Sequence, residues 1–211
     1  MRSREIEKYK STLLLTLRQK EVLVGVLLGD GHLEKLYSPA LARLKIEHSF
    51  KQKDYVDWLY QELRNWVRSK PKTKRSKSFG KNYLNYSFCT YGHRLLGDFH
   101  EIFYSGNIKI VPSKISKIIT PLGLAIWYMD DGSVKSKRHK GIFLNTQSFS
   151  VLGIKRLQRM LKEKFLIQST TKKDKNGLQI YIGGKNGEKF INLIRPFLLP
   201  CMLYKIPRVL I

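Results

Sequence analysis

Hydrophobic positions in this chain fall into two kinds of run. Two runs are nearly unbroken, Val22-Leu-Val-Gly-Val-Leu-Leu28 and Leu124-Ala-Ile-Trp-Tyr-Met129. A helix that is apolar all round is a buried helix, and both runs are read that way. Each ends abruptly in acid and glycine, Gly29-Asp30-Gly31 in one case and Asp130-Asp131-Gly132 in the other. The remaining apolar residues are periodic. Tyr55, Trp58, Leu59, Leu63 and Trp66 recur at helical spacing, as do Leu152, Ile154, Leu157, Met160 and Leu161. These predict amphipathic helices near 53–67 and 150–165, with further ones near 93–104 and 186–198. Alternation predicts strands over 41–50, 82–91, 140–147, 168–173 and 178–182.

The same order of features occurs twice. Asp30 and Asp131 lie 101 positions apart. His48-Ser-Phe50 precedes the first amphipathic helix and Gln147-Ser-Phe149 the second. The halves close alike, on Lys109-Ile-Val-Pro112 and Lys205-Ile-Pro207, with lysines 96 apart. Recurrence at a nearly constant offset reads as two degenerate copies of one unit, 1–112 and 120–211, joined by a linker at 113–119.

Composition narrows the class. The 211 residues carry 40 Lys and Arg against 16 Asp and Glu, a formal charge of +24, with 42% hydrophobic residues. Such a chain folds around a core and expects a polyanionic partner, nucleic acid first and an acidic membrane second. No apolar stretch approaches the ~20 residues of a membrane span. The N-terminus has no signal-peptide core, and Glu5 and Glu7 argue against a transit peptide. Cys89 and Cys201 suit a reducing, intracellular compartment and lack zinc-site spacing.

The repeated acid carries the chemistry. A glycine that caps a helix in the left-handed conformation would explain Gly31 and Gly132 and leave the acids incidental. Yet a helix C-terminus is the negative end of its dipole, so a carboxylate there asks for a countercharge. Two such helices packed side by side, with Gly25 and Gly29 permitting close approach, would bring carboxylates and last-turn carbonyls into an all-oxygen site suited to Mg²⁺. The five histidines form no repeated or metal-spaced set, and no GxSxG-type elbow is present.

On these residues the sequence resembles the LAGLIDADG homing endonucleases in their single-chain, two-motif form. The likeness extends to Asn145-Thr-Gln-Ser-Phe149 and Pro200-Cys-Met-Leu-Tyr-Lys-Ile-Pro207, similar to the branch typified by the omega-intron endonuclease of yeast mitochondria. The resemblance implies an α+β fold of two pseudo-symmetric αββαββα halves. Signature helices would form the interface, and two antiparallel sheets a saddle over double-stranded DNA. It implies that Asp30 and Asp131 bind the catalytic metals, assisted by the Gly29 and Asp130 carbonyls, and that Lys109 and Lys205 are the basic active-site residues. The implied cofactor is Mg²⁺, with Mn²⁺ able to substitute. A monomer would cut one phosphodiester on each strand of a long asymmetric target and leave short 3′ overhangs. Its compartment would be a mitochondrion, another organelle or a bacterial cytoplasm. The second motif departs from the consensus at Ile126 and Asp130, where glycine and alanine are usual, which predicts poorer helix packing there.

Strand alternation supplies base-reading candidates, Arg43 and Lys45, Tyr83 and Asn85, and Gln179 and Tyr181. Two basic loops, 70–77 with Lys72, Lys74 and Arg75 and 135–140 with Lys137 and Arg138, read as arms along a phosphate backbone. The alternatives are an intron RNA maturase and a non-catalytic DNA-binding protein on the same scaffold.

Overall fold

The first apolar run forms the C-terminal part of a helix that follows a short N-terminal one: α1 (Ser3–Ser11), then α2 (Leu17–Leu28). The computed structural model describes residues 3–37, 40–78, 80–136 and 138–210. The start of α2 is closed reciprocally. The Gln19 amide N–H donates to Thr16 Oγ1 at 3.1 Å and the Thr16 amide N–H to Gln19 Oε1 at 3.2 Å, a capping box. From Val22 to Leu28 every residue of α2 is buried, as an all-apolar helix requires.

After α2 come β1 (His32–Lys35), β2 (Ala42–Ser49), α3 (Lys53–Glu62), β3 (Lys72–Ser78), β4 (Lys81–Cys89) and α4 (Arg94–Phe103). A small hairpin, β5 (Tyr104–Ser105) with β6 (Ile108–Lys109), and the short α5 (Ile115–Ile118) lead into the second copy. There the same order repeats: α6 (Pro121–Asp131), β7 (Gly132–Val134), β8 (Ile142–Leu144), α7 (Val151–Phe165), β9 (Thr170–Asp174), β10 (Gly177–Ile182) and α8 (Gly184–Ile194). The two four-stranded sheets are threaded identically, β1-β2-β4-β3 and β7-β8-β10-β9, with antiparallel neighbours.

The chain divides into two compact units. One holds the chain up to Val22 together with Asp30–Ile102; the other holds Leu23–Gly29 and everything from Phe103 onward. The last turns of α2 therefore count with the second unit, which a cut along the sequence at residue 112 does not anticipate. In the first unit, β2 alternates strictly, with Ala42, Leu44, Ile46 and His48 buried and Arg43 and Ser49 exposed. Its inner face is covered by α3 through Tyr55, Val56, Leu59 and Tyr60. In the second unit, Ile142, Leu144, Ile180 and Ile182 are buried, and β10 packs against α7 and α8. Both second-unit helices that begin with a hydroxyl are capped by it: Thr120 Oγ1 accepts from the Gly123 amide and Ser150 Oγ from the Gly153 amide. The segment 113–119 is not an open linker. Its Ile115 and Ile119 are buried, and Lys164 on α7 donates to the Ser116 and Ile119 carbonyls.

Two expectations are corrected. The basic stretch 70–77 is not a loop: its residues from Lys72 onward form β3, paired residue by residue with β4. Strand pairing joins main-chain groups and needs no apolar alternation, and an edge strand rich in lysine is protected from further pairing. Gly132 does not take the left-handed conformation, since its φ is −75° and ψ 144°. It is glycine for space: a Cβ there would strike the Tyr128 ring.

Candidate active site

In the second unit the two buried helical segments touch at paired positions. A Cβ built on Gly25 would lie 2.7 Å from Ile126 Cβ and 2.8 Å from the Gly123 carbonyl oxygen, and one on Gly29 would collide with the Asp130 side chain. Both pairs, 25 with 126 and 29 with 130, are 101 apart, so equivalent positions of the two motifs meet. The larger residue of the second copy fills the space left by the glycine of the first. The departures at Ile126 and Asp130 are thus complementary to Gly25 and Gly29, and the expectation of poorer packing is withdrawn. Glycine in mid-helix costs about 1 kcal/mol relative to alanine, which this approach offsets.

Each helix end carries a lysine on its carbonyls. Lys109 Nζ donates to the Gly29 carbonyl at 2.7 Å. Lys205 Nζ donates to the Met129 carbonyl at 2.5 Å and the Asp130 carbonyl at 2.8 Å. Gly29 and Asp130 are again equivalent positions, so the same contact is made twice. Physically it is a cation on the unsatisfied acceptors at the negative end of a helix dipole. Lys109 is presented by β6, whose pairing with β5 sets Tyr104 opposite it. Lys205 ends a 3-10 segment, Pro200–Lys205.

The acids follow directly. Asp30, in the first unit, leaves the end of α2 with its side chain about half exposed. Buried His48 on β2 brings Nδ1 to 3.7 Å from Asp30 Oδ2, longer than a hydrogen bond. Asp131, in the second unit, is half-buried at the end of α6, and its carbonyl accepts from the Asn145 amide at 3.0 Å, tying the helix end to β8. Carboxylates and main-chain carbonyls are hard oxygen donors, which suit a divalent cation. The Gly29 and Asp130 carbonyls already accept from lysines.

The strand candidates sort by face. Lys72, Lys74 and Ser76 pair with Ser87, Asn85 and Tyr83, and Glu47 and Ser49 pair with Ser87 and Asn85. These residues, with Arg43 and Lys45, share the sheet face away from α3. Arg75 pairs with Leu84 and belongs to the opposite face. The open face is internally wired: Arg43 Nε donates to Glu34 Oε2 at 2.7 Å, Lys45 lies 3.1 Å from Glu47, and Asn85 Nδ2 donates to Glu47 at 3.2 Å. On the second sheet Gln179 pairs with Lys172 and Tyr181 with Thr170 and Phe143. Gln179 donates to Asn145 at 2.7 Å, and Lys172 sits 4.5 Å from the Tyr181 ring centroid. Arg138 is exposed in the turn before β8; Lys137 lies outside the described residues.

Two residues were missed from the sequence. His48 was set aside with the other histidines, although its place in the repeat matches Gln147, and that match was the available signal. Gln147 itself turns elsewhere, donating to Asp174 at 2.9 Å. Tyr128 is the second, and its hydroxyl donates to the Lys205 carbonyl at 2.6 Å. An apolar helix with one phenol hydroxyl was the hint there.

The LAGLIDADG DNA endonuclease family matches residues 20–190. A probable intron-encoded endonuclease 1 of Wickerhamomyces canadensis is 31% identical over 211 residues, covering 97% of this chain and 90% of its own length. The cytochrome b mRNA maturase bI2 of Saccharomyces cerevisiae is 31% identical over 205 residues, which spans 88% of this chain and 46% of the maturase. The solved structure of the homing endonuclease I-WcaI bound to its DNA recognition sequence superposes with a TM-score of 0.90 at 30% identity, covering 96% of this chain and 92% of that one.

Proposed function

Because the chain belongs to the LAGLIDADG DNA endonuclease family, we propose that it is a site-specific homing endonuclease. As a monomer it cuts one phosphodiester on each strand of a long, asymmetric DNA duplex and leaves short 3′ overhangs. The observation that carries the reading is the repeated helix end, with an acid at its last turn and a lysine on the preceding carbonyl, at Asp30 with Lys109 and again at Asp131 with Lys205. A mere DNA-binding scaffold has no use for two acids among so many cations.

In this reading Asp30 and Asp131 bind the catalytic metals, each at its own helix end, Mg²⁺ by preference with Mn²⁺ able to substitute, and the Gly29 and Asp130 carbonyls assist. When bound, such a cation neutralises phosphate charge and lowers the pKa of a water. Lys109 and Lys205 hold the helix-end carbonyls in place and put positive charge where the phosphate gains negative charge. The open sheet faces read bases through Arg43, Lys45, Tyr83, Asn85, Gln179 and Tyr181. Lys72, Lys74, Lys137 and Arg138 follow the backbone, and Arg75, on the other face of β3, contributes less to it. The repeat units are 1–112 and 120–211, and the protein works inside a cell, in an organelle or a bacterial cytoplasm. Among the described residues no helix is long and apolar enough to cross a membrane.

Selection of cleaved molecules from a randomised duplex library with Mg²⁺ tests the reading and yields the target. On that target Asp30→Asn and Asp131→Asn are each expected to slow cleavage by about 10³-fold or more while still binding DNA. Wild-type cleavage rates from both variants would end the proposal. A second reading rests on the likeness to the bI2 maturase: the same chain assists splicing of its intron RNA. Stimulated splicing of a precursor RNA by the Asp30→Asn variant would establish that activity beside cleavage.

A further inference from the structure

The two lysines make the same contact, but their backbones are held differently. Lys109 lies on a hairpin: it pairs with Tyr104, and the next amide, Ile110 N–H, donates to the Phe103 carbonyl at 2.7 Å. Lys205 is not part of a strand, and its segment packs against β7. It closes the 3-10 segment Pro200–Lys205, whose end is marked by the Ile206 amide donating to the Leu203 carbonyl at 2.9 Å. A short 3-10 turn is a weaker support than a hairpin, because its hydrogen bonds are poorly aligned and few.

Tyr128 adds a side-chain hydrogen bond to this segment. Its hydroxyl donates to the Lys205 carbonyl, and Lys205 Nζ returns to the Met129 and Asp130 carbonyls one and two residues beyond Tyr128. Helix α6 therefore grips the backbone of the residue whose side chain grips the helix. The ring is fully buried, stands edge-on to Phe190 with centroids 5.5 Å apart, and fits over Gly132, where a Cβ would strike it. The equivalent position of the first motif is Leu27, which has no hydroxyl.

We propose that Tyr128 is a positioning residue for Lys205, seating the second lysine at the end of α6 through the hydrogen bond from its hydroxyl to the Lys205 carbonyl. The proposal rests on the endonuclease reading above. Its consequence is an asymmetry that the shared chemistry hides: one lysine is seated by a hairpin and the other by a side chain. Loss of that hydroxyl leaves the catalytic groups unchanged and affects the Lys205 half-reaction alone.

Strand-resolved single-turnover cleavage of the selected target tests this. Lys205→Met identifies the strand that depends more on Lys205. Tyr128→Phe is expected to slow that same strand roughly 10- to 100-fold and the other less than about threefold, as misplacement of a catalytic group does. Affinity for the target is unchanged. In the Tyr128→Phe/Lys205→Met double variant, the tyrosine change adds no further loss, because its effect passes through the lysine. Phe190→Leu loosens the same ring but keeps the hydroxyl, and is expected to lower the melting temperature without strand bias.

Equal slowing of both strands by Tyr128→Phe, no slowing, multiplication of the two losses in the double variant, or strand bias in Phe190→Leu would each overturn the proposal. A wild-type protein that cuts no selected target would instead count against the endonuclease reading.

Discussion

The last turns of α2 and of α6 are the same element written twice with unequal side chains. Gly25 and Gly29 on one meet Ile126 and Asp130 on the other, and the small residue always belongs to the first copy. At the carbonyls the inequality disappears, because Lys109 takes the Gly29 oxygen and Lys205 takes the Asp130 oxygen. The difference separates two kinds of constraint. Packing between helices is satisfied by any complementary pair of volumes, so the copies can divide it unevenly. On the proposed reading, chemistry at the helix ends cannot be divided, because each scissile phosphate would need its own acid and its own lysine.

The largest effect expected from this contrast is at the lysines. Lys109→Met and Lys205→Met should each lower the cleavage rate by about 10²- to 10³-fold, in line with removal of a preorganised charge-stabilising donor. Strand-resolved kinetics should show each variant slowing one strand more than the other, with opposite preference. If both variants slow the same strand, the two helix ends are not chemical equivalents, and the comparison fails at its strongest point.

Most of the architecture was legible because it is encoded in periodicity. Unbroken apolar runs gave α2 and α6, helical spacing gave α3 and α7, and strict alternation gave β2 and β10. Strand β3 was not legible, since Lys72-Thr-Lys-Arg-Ser-Lys77 has no apolar alternation and owes its form to main-chain pairing with β4. The lysines stand out through their repeated setting before Ile and Pro, but their contacts do not. Lys109 and Lys205 reach main-chain oxygens 80 and 75 residues away, and a carbonyl is the same at every residue. The fit of Ile126 to Gly25 was misread for a related reason. One motif compared with a consensus shows a departure, while the two motifs set against each other show a match.

That fit is open to a double-mutant cycle read by chemical denaturation. Gly25→Ala is expected to destabilise the protein by about 1–3 kcal/mol, since its methyl would press on Ile126 and on the Gly123 carbonyl. Ile126→Ala should cost about 2–5 kcal/mol through the lost side chain and the cavity left behind. The double variant should be more stable than the sum of the two losses allows, because the new methyl occupies part of the vacated volume. Strict additivity would mean that the two positions do not share space, and the division of packing between the copies would then be wrong.

The smallest effect concerns the sheets, where the copies differ in the reach of their edge strands. β3 runs seven residues and carries Lys72 and Lys74 on the open face beside Ser87 and Asn85, whereas β9 runs five and places Lys172 beside Gln179. Each phosphate neutralised contributes a slope of roughly −0.9 to log affinity against log salt. Lys72→Gln with Lys74→Gln should therefore flatten the slope by roughly 1.8 units if each lysine meets one phosphate. Arg75→Gln should flatten it less, because its pairing with Leu84 assigns it to the other face. Titrating DNA affinity between low and physiological ionic strength measures both. An Arg75 effect equal to that of either lysine would mean that DNA follows the strand's edge, where both faces are within reach, and would remove the open face as the sole platform for this half of the target.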